Sequence, residues 1–319
     1  MPVNNDAEKR VMLSLQRRRL LRWRVGAVCS FSVALFLCVM PSSLRHTPHA
    51  KSPHIARLTI DGVIGDDVSV QEQAVYHAAK DPLVTGLLVV VNSPGGAVTG
   101  GERLHDAIAQ FAAVKPVAVS MGALGASAAY MLSAPAQHIV AEPSTLTGSI
   151  GVIMEHYDVS PLLGRLGVSS APIMSGAMKD QGDMTVPISP EGHEMLQGIV
   201  HDLFDQFVMM VAQGRHMDQA KVRALADGRA YTGHQAIVLG LIDELGNERT
   251  ARLWLRHRLG ITSGKYPVSE IGVRHDEHRF LGFSYKTMMG SLLGDAMVRH
   301  FEMTSALETL DGPVAILSW

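Results

Sequence analysis

The sequence predicts an α/β fold with a largely parallel sheet, because strand-like and helix-like segments alternate from His54 onward. Residues 86–91 (GLLVVV) are short, β-branched and free of charge, as expected of a strand that is buried on both faces. Residues 101–113, which follow that strand, carry apolar side chains at helical spacing. Repeated strand–helix–strand units of this kind place helices on the faces of a parallel, layered sheet.

The remaining elements are assigned from periodicity and from proline, glycine and serine signals. We predict strands at residues 55–60, 116–120, 138–141 and 170–174, and shorter helices at residues 68–80 and 126–132. Ser189 and Pro190 form a helix start, with a capping hydroxyl followed by proline at the first helical position. Apolar residues at helical spacing then continue to Val211, which predicts a long packed helix.

Composition limits the classes of function. Of the 319 residues, 47% are apolar and 18% are charged, so the chain has ample material for a core. The formal net charge of −2 argues against a nucleic-acid partner, because such domains usually carry a basic patch. The histidines and cysteines form no His-x-x-x-His or Cys-x-x-Cys pattern, so we predict no metal and no cofactor.

The N-terminus has the pattern of a membrane anchor. Residues 1–24 form a basic tail, residues 25–40 are free of charge, and residues 41–53 form a linker. The apolar run is shorter than the ~20 residues that usually span a bilayer, and a cleaved signal peptide is the alternative. Because no Ala-x-Ala pattern follows Met40, we expect an uncleaved single-pass anchor in the cell membrane. The basic tail should then be cytosolic and the domain extracytoplasmic.

Four motifs could together form a hydrolytic site. Ser127 lies among small residues (GASAAY), Ser149 ends a Thr-Gly-Ser motif, and Lys179 lies in Ser-Gly-Ala-Met-Lys-Asp. Gly95 and Gly96 follow a strand, where glycine allows backbone N–H groups to face a cleft, as an oxyanion hole requires. A nucleophile, a base and free amides are what peptide hydrolysis by serine needs. Each motif alone is more often structural: a capping serine, a surface lysine or an ordinary turn.

In combination, these motifs resemble the SppA-type signal peptide peptidases. Asn-Ser-Pro-Gly-Gly, the small-residue serine segment, Leu-Thr-Gly-Ser-Ile-Gly-Val and Ser-Gly-x-x-Lys-Asp occur in the family's order, and residues 228–243 also match. The resemblance covers roughly residues 54–246 and implies a layered fold of the ClpP/crotonase type. It also implies the role of each site residue: nucleophile Ser127, general base Lys179, lysine-positioning hydroxyl Ser149, and oxyanion-hole amides at Gly95 and Gly96.

The resemblance further implies a membrane-anchored endopeptidase that degrades apolar remnants of signal peptides. Its short members are homo-oligomers in which neighbouring subunits complete each active site, so the nucleophile and the base can come from different protomers. We expect the peptidase domain at residues 54–275. Residues 276–319 contain an apolar, Met-rich series and should form an amphipathic helix or tail at a subunit interface. Ala128 and Ala129 depart from the Gly-Gly that commonly follows the nucleophile.

The residues also leave two alternative readings open. A ClpP-like triad would use His138 or His156 as the base, oriented by Asp158 or Asp180. A catalytically inactive membrane scaffold would keep the same fold for assembly alone. A lysine base must be neutral, which requires surroundings that disfavour the ammonium, so the Ser-Lys hypothesis predicts activity that rises toward alkaline pH.

Overall fold

The computed structural model describes residues 52–262 and 266–273, together with the backbone of three short strands nearer the C-terminus. The predicted basic tail, the anchor at residues 25–40 and most of the linker lie outside the described residues, as does the Met-rich series beyond residue 284. Within the described residues, no helix has the length and hydropathy needed to cross a bilayer.

The main sheet has eight strands. They are β1 His54–Asp61, β2 Val84–Ser93, β4 Val117–Ala126, β5 His138–Ala141, β6 Leu146–Gly148, β7 Ala230–Thr232, β8 Glu244–Leu245 and β9 Val268–Ile271. Six of them follow the order β7-β6-β4-β2-β1-β9, and β5 pairs with both β4 and β8. Within the described residues, the ladders of this sheet are parallel except the β6–β7 pair, which is antiparallel.

Two smaller ladders complete the strand list. The short strand β3 (Gly95–Ala97) pairs antiparallel with β12 (Val314–Ile316). Strands β10 (Arg279–Phe280) and β11 (Phe283–Ser284) form an antiparallel hairpin, which belongs to a separate compact unit of the chain.

Strands and helices largely alternate along the chain, as the sequence predicts, except that three helices follow one another between β6 and β7. The helices are α1 Ser69–Lys80, α2 Val98–Ala112, α3 Ala128–Ser133, α4 Ser160–Arg165, α5 Pro190–Gly214, α6 Gln219–Leu225, α7 Gly233–Leu239 and α8 Glu248–Arg258. The predicted start of the long helix α5 is confirmed, since the Ser189 hydroxyl accepts a hydrogen bond from the Gly192 N–H at 2.9 Å.

The core is divided by strand β2, whose side chains are buried on both faces of the sheet. Leu87 and Val89 pack in the larger apolar cluster together with Ile108 of α2. Leu88 points to the opposite face and packs in a second cluster with Leu255 of α8. The prediction of a strand buried on both faces is therefore confirmed, and with it the α/β class.

One predicted strand is wrong. Residues 170–174 form no strand, and their side chains are exposed, with Ile173 at 104% of its reference accessible area. Their apolar character indicates a strand in the sequence, but they form no ladder with any of the described strands. Apolar side chains without a partner surface gain nothing from the extended conformation that a ladder would fix.

Candidate active site

Ser127 lies at a sharp turn between strand β4 and helix α3, at the carboxyl end of the parallel strands. Its backbone has φ 57° and ψ −122°, a conformation that L-residues seldom adopt. Such a residue costs on the order of 1–3 kcal/mol and persists only where the surrounding structure enforces it. A strained serine between a strand and a helix is the geometry that presents a nucleophilic hydroxyl.

The Ser127 side chain is fully buried, and its hydroxyl oxygen has no hydrogen-bond partner among the described residues. The residue stands at the N-cap position of α3, yet its side chain accepts no capping hydrogen bond. The interpretation of Ser127 as an ordinary capping serine is therefore wrong. A buried hydroxyl without a partner costs free energy, and such groups in native proteins usually have a role beyond stability.

Ser149 is brought next to Ser127 by the pairing of strands β4 and β6. The parallel register pairs Ala126 with Gly148, so the two serines are the next residues on neighbouring strands. The Ser127 N–H donates to the Gly148 carbonyl oxygen at 2.8 Å, and the Ser149 N–H donates to the Arg229 carbonyl oxygen at 3.0 Å. Ser149 is only 5% exposed and also has a positive φ, of 47°.

The two glycines of the predicted oxyanion hole differ in their hydrogen bonding. The register pairs Ser93, the last residue of β2, with Gly125 near the end of β4, so the two glycines and Ser127 follow the same ends of neighbouring strands. The Gly95 N–H already donates to the Ser93 hydroxyl oxygen at 3.1 Å. The backbone groups on either side of Gly96 bond to Ile64. The Ile64 N–H donates to the Gly95 carbonyl oxygen at 2.9 Å, and the Ala97 N–H donates to the Ile64 carbonyl oxygen at 2.8 Å.

Successive peptide groups of a strand point to opposite edges, so the Gly96 N–H faces the edge away from Ile64. Of the two predicted amides, that of Gly96 is the one bonded neither to the Ser93 hydroxyl nor to Ile64, and it lies on the edge of β3 that pairs with β12. Only glycine fits here, because a Cβ on Gly96 would lie 2.0 Å from the Ile64 carbonyl oxygen. A second candidate donor, which the sequence reasoning missed, is the Ala128 N–H. It is the first amide of helix α3, and such amides have no partner within the helix.

Two further residues support this region and were also missed. The Asn92 amide donates to Asp61 at 2.9 Å and accepts from the Leu124 N–H at 3.3 Å, which ties the ends of β1, β2 and β4 together. A Cβ on Gly101 would lie 3.0 Å from the Ala128 Cβ, so glycine in α2 allows α3 to approach closely. The alanines after Ser127 are thus accommodated by a small residue on the facing helix.

No contact between Lys179 and the nucleophile occurs among the described hydrogen bonds and ion pairs. Lys179 lies in an exposed turn, where its N–H donates to the Gly176 carbonyl oxygen at 3.1 Å. Because the Ser127 hydroxyl has no partner among the described residues, the two side chains form no hydrogen bond. The role of Lys179 as the base therefore stays a prediction.

The histidines of the alternative triad occupy different environments. His138 stands beside Ala118, near the start of β4, whereas Ser127 follows the end of that strand. Its ring contacts Glu244 at 2.9 Å and stacks on Trp254 at 4.7 Å between centroids, so it has a structural role. His156 is half-buried, with Nδ1 3.2 Å from the Gly182 carbonyl oxygen and Nε2 without a partner among the described residues.

The predicted partners of a histidine base are likewise not arranged as a triad. Asp158 accepts from the Ser160 N–H at 2.9 Å, and hydrogen bonds from Ser160 lower the pKa of this exposed carboxyl. Asp180 adjoins Lys179 in the same turn, and no ion pair or hydrogen bond joins it to His156 among the described contacts. No group of three or more side chains suited to hold a metal ion occurs in the described part of the chain.

The exposed segment around Lys179, residues 157–184, is unusually apolar, and we refer to it as the arm. Its exposed large apolar side chains are Tyr157, Leu162, Leu166, Val168, Ile173, Met174, Met178 and Met184. An exposed apolar segment of this extent is typical of a surface that another molecule covers. The base candidate thus lies on a surface suited to contact a partner.

Comparison with known proteins supports a peptidase. The model of peptidase family S49 matches residues 109–262. A relative in Methanocaldococcus jannaschii, named "Putative protease MJ0651", is 36% identical over 239 residues, which cover 75% of this chain and 74% of the relative. A relative in Enterococcus faecium, named "Putative signal peptide peptidase SppA", is 35% identical and covers 63% of this chain and 62% of its own length.

Among solved structures, a point mutant of ClpP1 from Listeria monocytogenes aligns over 61% of this chain and 93% of its own, with a TM-score of 0.41 and 16% identity. The ClpP/crotonase-like assignment of the fold rests on the sequence resemblance and stays a prediction at this level of detail. The family itself rests on the sequence matches and on a strained, buried serine in the family's motif. The chain belongs to peptidase family S49 and is a serine peptidase of the SppA type.

Proposed function

We propose that the protein is an endopeptidase with a Ser-Lys dyad, held at the cell membrane by residues 25–40, that degrades apolar remnants of signal peptides. The observation that carries the proposal is the Ser127 hydroxyl, which is fully buried, lacks a partner among the described residues and sits on a strained turn. A serine in this state is poised for nucleophilic attack once a base reaches it.

The mechanism follows from the residues around the turn. The neutral amine of Lys179 takes the proton of Ser127 while the hydroxyl oxygen attacks the peptide carbonyl. The amides of Gly96 and Ala128 stabilise the oxyanion, and the lysine ammonium then protonates the leaving amine. Water, deprotonated by the same lysine, attacks the acyl-serine ester and releases the second product. Ser149 orients the lysine by hydrogen bonding to its amino group.

The base would be supplied by a neighbouring subunit of a homo-oligomer. Two observations favour this: Lys179 is exposed in its own chain, and it lies on the apolar arm. Covering the arm with another copy would bury Met174, Met178 and Met184, which would provide the apolar surroundings that keep a lysine neutral. Assembly would thereby bring the base to the nucleophile and place that base in apolar surroundings at the same time.

The substrate class is supported by the name of the Enterococcus faecium relative, a signal peptide peptidase, and by the apolar N-terminal run of this chain. A catalytic domain tethered to the membrane would meet short apolar peptides there.

The dyad is tested by hydrolysis of an apolar fluorogenic peptide by the purified full chain in detergent micelles. We expect Ser127→Ala and Lys179→Ala each to lose on the order of 10³-fold or more in kcat, whereas His156→Ala keeps parental activity. Activity that survives Lys179→Ala but is lost in His156→Ala would replace the dyad with a ClpP-like triad. An inactive parental protein that is folded and assembled would favour the scaffold reading.

Shared sites are tested by mixing the two inactive variants. If the nucleophile and the base come from different subunits, an interface between a Ser127→Ala subunit and a Lys179→Ala subunit can hold one intact pair. Mixed oligomers, formed by co-expression, should then recover part of the parental activity. A mixture that stays as inactive as its components, although the subunits are shown to co-assemble, would place both residues in one protomer.

A further inference from the structure

Helix α8 begins a stretch of the chain in which positive charge is concentrated. Residues 249–269 contain five of the 28 lysines and arginines and none of the 30 acidic residues, although the whole chain has a formal net charge of −2. Four of the five are arginines of α8 itself. A surface with one sign of charge attracts a partner of the opposite sign.

The solvent face of α8 presents these charges around one exposed apolar residue. Ala251 and Leu255 are fully buried and pack in the second apolar cluster. Leu253 lies about half a turn from both on a helix of 3.6 residues per turn, and 55% of its area is exposed. Arg249 and His257 are exposed one turn before and one turn after Leu253. We refer to this surface as the basic face, which consists of Arg249, Arg252, Leu253, Arg256, His257 and Arg258.

The carboxylates near the basic face are already engaged with other groups. Glu248, the one acidic residue of α8, accepts hydrogen bonds from both Arg57 and Arg252, each at 2.9 Å. Glu244 contacts the His138 ring at 2.9 Å, and Glu270 pairs with Arg57. One carboxylate shared by two guanidinium groups does not neutralise four arginines, so α8 keeps a net positive charge.

The basic face lies near the point at which the chain departs toward the predicted anchor. Ile55 in β1 packs in the same apolar cluster as Leu255, and the Ile55 N–H donates to the Pro267 carbonyl oxygen at 3.1 Å. The end of α8 therefore lies beside the start of β1. The linker of residues 41–53 has thirteen residues, which span at most about 45 Å. With residues 25–40 in a bilayer, the start of β1 cannot lie farther than this from the membrane.

We propose that the basic face of α8 binds the anionic headgroups of the membrane in which the chain is anchored, and so orients the catalytic domain on the lipid surface. The inference rests on the proposed function, because it takes residues 25–40 as the anchor, and it adds a contact that the anchor does not provide. Clusters of roughly four to eight Lys and Arg on an amphipathic helix suit anionic lipids, and each arginine favours the bound state about fivefold. Leu253 would enter the interfacial layer, where an apolar side chain adds to binding.

The test places a fluorophore on the basic face of the full chain reconstituted in vesicles. Cys29 and Cys38 are replaced by serine, and the variant Leu253→Cys is labelled with bimane. The vesicles contain phosphatidylcholine alone or with about 30% phosphatidylglycerol, and both carry a lipid with a nitroxide quencher at the headgroup. We expect quenching of the bimane in the anionic vesicles only, and its loss in about 0.5 M NaCl, which screens the attraction.

The matched controls use the opposite face of the sheet. Val70 is 40% exposed on α1, whose buried residues pack in the larger apolar cluster, so a label at Val70→Cys should stay unquenched in both vesicles. Arg249→Gln combined with Arg258→Gln should lower the ratio of docked to free domain about 25-fold. Lys80→Gln combined with Lys221→Gln removes the same charge from exposed sites on α1 and α6 and should leave the quenching unchanged.

Three results would overturn the proposal. Quenching at position 253 that is absent at every lipid composition would show that α8 does not touch the membrane. Quenching of equal size in neutral and anionic vesicles would reflect the tether alone. Bimane emission that is already shifted to shorter wavelength in detergent micelles without lipid would show that another copy of the chain covers α8.

The readout does not depend on catalysis, so it separates this inference from the proposed function. Salt-sensitive quenching in a chain that hydrolyses no peptide would support the lipid-binding face and refute the peptidase mechanism. Hydrolysis that depends on Ser127, without quenching at position 253, would refute the lipid-binding face alone. A chain that floats with anionic vesicles but is released by about 0.5 M NaCl would support the basic face and refute residues 25–40 as the anchor.

Discussion

Replacing Gly96 by alanine should abolish most of the activity while leaving the fold in place. The added Cβ would lie 2.0 Å from the carbonyl oxygen of Ile64 and 2.7 Å from its N and C atoms. These are backbone atoms of a paired segment, so no side-chain rotation can relieve the clash. Strand β3 must move away from Ile64, and the Gly96 amide must move with it.

Two effects of different size follow from this displacement. Two backbone hydrogen bonds join Ile64 to β3: the Ile64 N–H donates to the Gly95 carbonyl oxygen at 2.9 Å, and the Ala97 N–H donates to the Ile64 carbonyl oxygen at 2.8 Å. Each contributes about 1 kcal/mol, so losing both lowers the free energy of unfolding by roughly 2 kcal/mol. Since domains are usually stable by about 5–15 kcal/mol, nearly all molecules stay folded. Losing one oxyanion donor costs about 10²–10³-fold in kcat, and this effect decides the phenotype.

The assay is steady-state hydrolysis together with urea unfolding, and Gly65→Ala is the matched control. Gly65 directly follows Ile64, but no heavy atom lies within 4 Å of a Cβ built there. The control should therefore keep parental kcat and stability. If Gly96→Ala keeps kcat within about threefold of the parental value, the Gly96 amide does not hold the oxyanion, and its assignment to the oxyanion hole is wrong.

Two further predictions concern stability. The buried Tyr130 hydroxyl donates to the Leu241 carbonyl oxygen at 2.8 Å, so Tyr130→Phe should lose about 1–3 kcal/mol in urea unfolding. The control Tyr231→Phe, at a half-buried site, should lose less. Hydrogen bonds from Arg57 lower the pKa of the Glu248 carboxyl below its usual 4.5. The stabilisation of the fold by the ionised carboxylate is therefore present above pH 4.5 and is lost as pH falls further. Unfolding of Glu248→Gln and parental proteins should therefore differ at about pH 7 and converge near pH 3; a constant difference would contradict this.

The sequence predicts those parts of the fold that depend on local periodicity. The β-branched run at residues 86–91 lies within strand β2 because only burial on both faces suits such a composition. The cap at Ser189 is local chemistry and is also predicted correctly. Residues 170–174 have a similar apolar character but no surface to cover them within the chain, and the strand prediction fails there. Periodicity shows which side chains of a segment are suited to burial, but it does not show whether another surface is present to bury them.

The site shows the same division between local and non-local information. The motif around Ser127 identifies the residue, but its strained backbone depends on the pairing of β4 with β6, which the sequence does not reveal. Gly95 and Gly96 are equivalent in sequence, and the structure distinguishes their amides, because the Gly95 N–H donates to the Ser93 hydroxyl whereas the Gly96 N–H lies on the opposite edge of β3. The pairing of residues 314–316 with β3 joins two short segments across most of the chain, and a three-residue run carries too little pattern to predict it.

The proposal that a neighbouring subunit supplies the base predicts how activity should depend on protein concentration. Sites shared between subunits form by association, so specific activity should rise with protein concentration until assembly is complete. The measurement is specific activity over a dilution series, with the oligomeric state followed in the same samples. Specific activity that stays constant while the oligomer dissociates would place the nucleophile and the base in one protomer.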